Sequence, residues 1–492
     1  MRPVAEGDKS ENAPVRGALL IAGATSDAGK STIVAGLCRA LARRDVRVAP
    51  FKAQNMSNNS AVCPDGGEIG RAQAAQAEAC GILPHTDMNP ILLKPTGSYG
   101  SQIVLNGRPW QTLSARDYYT HYDFLLGNVL DAYERLSADY DFVIIEGAGS
   151  ITELNLKSHD LVNLGLAVRL NAPCILVADI DRGGVFASVT GTCRLLDEEE
   201  APLVRSFLVN RFRGDNSLFS DGVPILEEKS GRPCLGVFPF ISDAHLDAED
   251  SVSLEDRATP QCAVPHQLHG QSSVAVVRLP HISNFTDFRL LPDAAFVTGP
   301  VATRFDTIIL PGTKSTIEDL LWLRESGMDQ WLKDQFDAGS RLIGICGGYQ
   351  MLGTRICDPY TVESPVHEAR GLGFLPAETH LTSGKLTRNV SARTPSGLRF
   401  EAYEIHMGIT TTSGNAKPFA VLEDGTEDGI RAERVTGTYL HGALENRPVL
   451  EELLGHSLQT RPVLTKEAGY DRLAGWFAEH VNHRVLKREY GI

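Results

Sequence analysis

The sequence contains no apolar run approaching the ~18 residues that a helix needs to cross a bilayer. Its first residues, MRPVAEGDKSENAPVRG, lack the apolar segment of a secretory signal. The expectation is a polar tail (1–16) on a cytoplasmic protein with no membrane partner. Basic residues are outnumbered, 47 Lys and Arg against 61 Asp and Glu, for a formal charge of −14. That deficit argues against nucleic acid as a partner and leaves room for a local basic pocket around an anionic ligand. Cysteine never occurs in a C-x-x-C step: Cys38, Cys63, Cys80, Cys174, Cys193, Cys234, Cys262, Cys346 and Cys357 are scattered. Zinc-ribbon and thioredoxin-type chemistry therefore have no support, and nearly all nine read as small buried hydrophobes. No internal repeat and no low-complexity tract is visible. Hydrophobic residues at 42% and charged residues at 22% exclude wholesale disorder. At about 150 residues per domain, the 492 residues divide into two large domains or three.

What is present is an alternation of short apolar runs with helix-length segments. GALLIAG (17–23), VRVAPFK (46–52), DFVIIEGAG (141–149), CILVADID (174–181), SFLVNRF (206–212) and CLGVFPF (234–240) read as buried strands, and STIVAGLCRALARR (31–44) as an amphipathic helix. Such a pattern predicts an α/β fold with a doubly wound parallel sheet, whose ligands bind at the carboxyl ends of the strands. The pattern stops in the polar, then Pro/His/Gln-rich stretch 244–272, read as a linker. A second set follows in SVAVVRLP (273–280), FDTIILPG (305–312), RLIGICGG (341–348) and GTYLHG (437–442), with helix over 315–339. The division is thus a first α/β domain at 17–243, a second at 273–450, and a helical segment at 451–492 able to pack on either.

Gly23-Ala24-Thr25-Ser26-Asp27-Ala28-Gly29-Lys30-Ser31-Thr32 follows the first strand and opens the first helix. Glycine lets backbone N–H groups approach phosphate oxygens, and a helix N-terminus favours anions. Gly23, Thr25, Ser26, Asp27 and Gly29 are the candidate cradle for ATP. Lys30 would lie on the β/γ-phosphates, and Ser31 or Thr32 would offer Mg2+ a hydroxyl. The strict G-x-x-x-x-G-K-[ST] pattern is not met, because Ala24 stands at the first glycine position and the glycine sits one place earlier. Glu146, closing a buried strand ahead of Gly-Ala-Gly, is the candidate carboxylate for the metal. Asp179 and Asp181 fit loop caps as well as they fit chemistry. Asn210 stands where a base-reading amide would sit.

Leu342-Ile343-Gly344-Ile345-Cys346-Gly347-Gly348 is a buried strand running into G-x-C-x-G and then a helix, the thiol form of a nucleophile elbow. Cys346 is the candidate nucleophile. The Gly347 N–H and those around Gly312 and Thr313 are candidates for an oxyanion hole, and His441 is the candidate base.

The phosphate loop together with Glu146-Gly147-Ala148-Gly149 resembles the dethiobiotin synthetase-like branch of P-loop proteins, which use ATP to activate a carboxylate or carbamate. The related chromosome-partitioning ATPases carry a lysine where this chain has Thr25. The elbow with His441 resembles a class I glutamine amidotransferase. Ordinary members place a Glu two residues after the histidine, where this chain has Ala443; Glu445 lies four residues on. That departure resembles the cobyric/cobyrinic acid amidase branch, which works as a Cys–His pair, and it leaves open which group orients His441. Six further strings are similar to those of the cobyric acid synthases: Phe51–Asn59 (FKAQNMSNN), Glu68–Gln73 (EIGRAQ), Met88–Pro95 (MNPILLKP), Asp181–Phe186 (DRGGVF), Asn210–Asp215 (NRFRGD) and Tyr403–Gly408 (YEIHMG). The likeness runs from about residue 17 to residue 450. It implies a glutamine-hydrolysing carbon–nitrogen ligase of cobalamin biosynthesis. The reaction would amidate, with ATP and Mg2+, the b, d, e and g side-chain carboxylates of the corrinoid adenosylcobyrinic acid a,c-diamide to give adenosylcobyric acid. Lys52, Gln54, Asn55, Asn58 and Gln73 would hold the corrinoid or the metal, although capping and loop hydrogen bonds explain such residues almost as well. A homo-oligomer is compatible with the sequence and not specified by it. Three competing readings are cobyrinic acid a,c-diamide synthase, a cell-wall amidating ligase (normally split over two chains), and a non-enzymatic partitioning-type ATPase.

Overall fold

Leu19 and Ile21 belong to one apolar cluster and Leu20 and Ala22 to another, so the first strand buries both of its faces. This is why its sequence is a continuous apolar run rather than an alternation. The computed structural model describes residues 17–96, 100–241, 273–414, 416–458 and 465–492. The expected polar tail at 1–16 lies outside these residues, and so does the expected linker at 244–272. In the first half, six parallel strands run in the order Cys234–Pro239, Val204–Phe212, Cys174–Asp179, Gly17–Gly23, Phe142–Glu146, Val48–Phe51. The chain leaves Gly17–Gly23 for one side of the sheet and later fills the other, which puts a switch point beside that strand. The loop Gly23–Lys30 and the end of Phe142–Glu146 open at the same edge of the sheet, with Ile21 in register with Glu146.

Between Val48–Phe51 and Phe142–Glu146 lies an insertion that no strand alternation announced. It contains Gln54–Met56, Ile91–Thr96, Gly100–Leu105 and Arg108–Leu113 as a four-stranded sheet, the small pair Ser60–Val62 and Glu68–Gly70, and the helix Arg71–Ala79.

The second half is built on Ala295–Val297, Val274–Val277, Thr307–Leu310, Arg341–Ile345 and Val435–Thr438, all parallel, with Ile430–Ala432 antiparallel at the edge. The stretch 315–339 forms two helices, Thr316–Glu325 and Met328–Asp337, because Gly327 between them is left-handed at φ 75°. A long hairpin, Ala377–Arg393 with Arg399–Thr412, reaches toward the first half. There Val62 joins Tyr403 and Ile405 in one small apolar cluster.

The terminal helix Lys466–His480 packs on the first half, not the second. Tyr470, Leu473 and Phe477 complete the cluster formed by Ile33 and Leu37 of the helix Lys30–Ala42. Arg39 ties the two helices at their surface, to Asp471 at 2.8 Å and Glu467 at 2.7 Å. No helix among the described residues is long and apolar enough to cross a membrane.

Candidate functional site

At the phosphate loop, the strand end brings Glu146 under the first turn of the helix Lys30–Ala42. Ser31 Oγ donates to Glu146 Oε1 at 2.9 Å, and Lys52 Nζ donates to the same oxygen at 2.9 Å. Gln76 donates to the other oxygen from the helix Arg71–Ala79. Burial opposes ionisation of Glu146, but Lys52, the Gln76 amide and Lys30 hold its carboxyl below the usual range. Lys30 Nζ donates to the Gly149 carbonyl at 2.9 Å, so the lysine lies across the mouth of the loop. One hydroxyl and one carboxylate beside a phosphate cradle suit Mg2+, which keeps several waters and takes further ligands from phosphates. Among the described residues no three or more His, Cys, Asp or Glu gather as a metal cage.

Thr25, Ser26 and Asp27 are exposed on the loop. Asn210 is buried and its Nδ2 donates to the Ala28 carbonyl at 2.8 Å, so in this structure the amide braces the loop. Asp179 accepts from the Asp181 N–H at 2.8 Å and pairs with Arg211 at 3.0 Å, a local loop lock.

The second site centres on Cys346. Its backbone stands at φ 51°, ψ −109°, a conformation that costs a non-glycine residue about 1–3 kcal/mol and marks a sharp strand-to-helix turn. The helix Gly347–Leu352 begins directly behind the sulfur. Gly312 is pressed against His441: a Cβ there would lie 2.8 Å from the imidazole Cε1, so any side chain would displace the ring. The Thr313 backbone N lies 3.2 Å from where a Gly347 Cβ would stand, which brings the Gly312–Thr313 strip alongside Gly347. His441 lies just past the strand Val435–Thr438, not within it, in an isolated antiparallel bridge with Tyr403.

The structure supplies a carboxylate that the sequence did not point to. Asp287 Oδ2 is 2.8 Å from His441 Nδ1, and its Oδ1 accepts from the Gly442 N–H at 2.6 Å. His441 is fully buried and Asp287 nearly so. Burial works against charging the imidazole, but Asp287 and the Cys346 side chain outweigh it and raise His441 to about 10. The expectation of a bare Cys–His pair is thereby corrected. Among the described residues the ring nitrogens find Asp287 and Asn284 as hydrogen-bond partners, and Glu445 lies 3.6 Å from Arg289. Asp287 escaped sequence reading because the distance in sequence from acid to histidine follows no rule that transfers between folds. The ring face of His441 stacks on Tyr403, with centroids 5.3 Å apart and planes 17° from parallel.

The expected substrate residues separate into two groups. Lys52 is engaged with Glu146, and Gln54 accepts from the Tyr118 hydroxyl. Asn55 donates to Gln73 Oε1 at 2.9 Å, and among the described residues the buried Gln73 Nε2 and Asn58 Oδ1 find no hydrogen-bond partner. Buried polar atoms left over in this way suit a site that a polar ligand completes. Gln76 was not singled out from sequence, and its Oε1 likewise has no partner among the described residues.

Residues 19–252 match the CobQ/CobB/MinD/ParA nucleotide binding domain, and residues 273–449 match the CobB/CobQ-like glutamine amidotransferase domain. The chain is 44% identical to a cobyric acid synthase of Syntrophobacter fumaroxidans, over 96% of this chain and 98% of that protein. It is 45% identical to a cobyric acid synthase of Parabacteroides distasonis, over 95% of this chain and 97% of that one. Among solved structures it is similar to a glutamine amidotransferase at 21% identity and a TM-score of 0.30, covering 37% of this chain and 98% of the other.

Proposed function

The chain belongs to the cobyric acid synthase family of glutamine-dependent amidotransferases, and from that premise we propose that it moves ammonia from glutamine to corrinoid carboxylates activated by ATP. The substrate is adenosylcobyrinic acid a,c-diamide, amidated at its b, d, e and g side chains to adenosylcobyric acid. One observation carries the reading. A thiol on a strained elbow with a histidine and a carboxylate behind it, and a phosphate loop with its own lysine and carboxylate, occur in one chain.

In the first site the Cys346 sulfur attacks the glutamine carboxamide carbon, and its proton resides on His441. The oxyanion that forms faces the Gly347 N–H and the Gly312–Thr313 strip. His441 passes its proton to the departing ammonia, and water then cleaves the thioester to glutamate. Asp287 keeps Nδ1 protonated, so that Nε2 is the atom that exchanges the proton.

In the second site a carboxylate of the corrinoid attacks the γ-phosphorus of ATP. Lys30 balances charge on the transferring group. Ser31 and Glu146 would hold Mg2+, which when bound would supply further neutralisation of the phosphates. Ammonia attacks the resulting acyl phosphate and inorganic phosphate departs. Since ammonia is mostly ammonium in water at neutral pH, a shielded passage between the sites keeps it nucleophilic.

The test compares nitrogen sources by mass spectrometry of the corrinoid product. Cys346→Ala is expected to abolish amidation supported by glutamine and to retain amidation supported by ammonium salts. Lys30→Ala is expected to lose both, on the order of a hundredfold or more. Equal loss with both nitrogen sources in Cys346→Ala would overturn the two-site reading.

A further inference from the structure

We propose that Arg71, carried by the phosphate-loop half of the chain, is a positioning residue for glutamine hydrolysis in the other half. It fixes the Tyr403 ring and the Asp287 loop against His441. This rests on the reading of His441 as the base of that reaction.

One guanidinium reaches both groups that flank the imidazole. Arg71 Nη2 donates to the Tyr403 hydroxyl at 2.8 Å and to Thr286 Oγ1 at 3.2 Å. Tyr403 is the residue stacked on the face of His441, and the two exchange backbone hydrogen bonds of 3.0 Å in each direction. Thr286 immediately precedes Asp287, whose carboxylate holds the ring edge. The rest of that loop is held from the same side. Ser60 N–H donates to Asn284 Oδ1 at 3.0 Å, and Phe285 N–H donates to Asn59 Oδ1 at 3.3 Å. Arg71 N–H in turn donates to the Asn59 carbonyl at 3.1 Å, so the supporting strip is a single tied unit. Arg71 is 8% exposed, and a planar fork held in a dry interface loses little orientational freedom per bond. The ring of an otherwise unsupported histidine could still turn about χ2. Here both the tyrosine that stacks on it and the loop that bonds its Nδ1 are restrained by one side chain from across the domain boundary. Five residues further along the same helix, Gln76 meets Glu146 of the phosphate site. The helix Arg71–Ala79 therefore touches the machinery of both reactions.

The experiment uses the full chain and measures glutaminase kcat and KM for Arg71→Met, Tyr403→Phe and the double variant. Amidation supported by ammonium salts is measured in the same preparations. Arg71→Met keeps the length of the side chain and removes its donors, and Tyr403→Phe keeps the stacked ring and removes the acceptor. Each single variant is expected to lower glutaminase kcat about tenfold, with KM for glutamine changed less than about twofold. The double variant is expected to fall no further than the larger single loss, and ammonium-supported amidation to stay near wild type. Unchanged kcat in Arg71→Met, a change confined to KM, multiplicative losses in the double variant, or a parallel fall in ammonium-supported amidation would each overturn the proposal. Cys346→Ala separates the two claims: glutaminase activity surviving in that variant would remove the underlying reading, whatever Arg71 does.

Discussion

Asp287 sits 154 residues before the histidine it holds, and the bond between them decides the protonation chemistry of the thiol site. With Asp287 present, the imidazolium form of His441 is favoured to about pH 10. Asp287→Asn keeps the shape and removes the charge, and an amide there can turn its NH2 toward Nδ1 and stabilise the wrong tautomer. Glutaminase kcat is expected to fall by about three to four orders of magnitude, as when an orienting carboxylate becomes an amide in hydrolytic triads. Glu445→Gln, which removes the charge that faces Arg289, is expected to change kcat by less than about threefold. The pH profile carries a second signature. A raised imidazole pKa keeps the imidazolium present below that value and loses it as pH rises through it. Without the carboxylate the loss comes earlier, so the alkaline limb of kcat/KM moves to lower pH in whatever activity remains. An alkaline limb left in place in Asp287→Asn, beside a large loss in Glu445→Gln, would return the orienting role to Glu445.

The close packing of the terminal helix Lys466–His480 on Lys30–Ala42 runs over a position where even a methyl group would be tight. A Cβ on Gly36 would stand 3.1 Å from the Leu473 carbonyl and 3.3 Å from Phe477 Cβ. Gly36→Val puts two further methyl groups into that contact, and overpacking of this kind costs about 1–3 kcal/mol. Because the same helix opens with Lys30 and Ser31, the displacement is transmitted along a rigid rod to the phosphate loop. Thermal unfolding is expected to show a lower Tm for Gly36→Val, with ammonium-supported amidation reduced and glutaminase kcat little changed. A wild-type Tm would show that the terminal helix yields without cost. The amphipathic pattern of this segment was visible in sequence, but its docking partner was not. An apolar stripe states that a face is covered and not by what.

At the scale of the whole chain, the two halves meet through buried charge as well as through the contacts of Arg71. Glu68 of the first half is paired with Lys94 from its own half and with Lys385 from the long hairpin of the second. Burial works against ionising Glu68, but the two ammonium groups outweigh it and hold its carboxyl far below the usual range. Two cations on one carboxylate leave an excess positive charge, and Lys94 is pushed down to about 7 by burial and by Lys385. Glu68→Gln strands both lysines in the interface. Removing one member of a buried ionic cluster costs about 3–5 kcal/mol. Urea or thermal unfolding is expected to show that loss, and glutamine-supported amidation is expected to suffer more than either half-reaction measured alone. An unchanged midpoint would mean that the interface relaxes and hydrates the lysines.

The parallel strands, the phosphate loop and the thiol elbow were legible in the sequence because each is a local event. A strand buried on both faces is a short apolar run. A loop that receives phosphate needs glycines and a lysine within ten residues, and the turn that lifts Cys346 needs small neighbours on each side. The break at Gly327, the two small sheets inserted between Phe51 and Phe142, and the side on which Lys466–His480 docks were decided by packing. Asp287 beside His441, Gln76 on Glu146, Tyr403 under the imidazole and Arg71 behind Tyr403 came only from the tertiary structure. Their physical reason is common. A carboxylate, an amide, a ring or a guanidinium acquires its role from a partner tens or hundreds of residues away, and the chain that separates them imposes no spacing for a reader of the sequence to find.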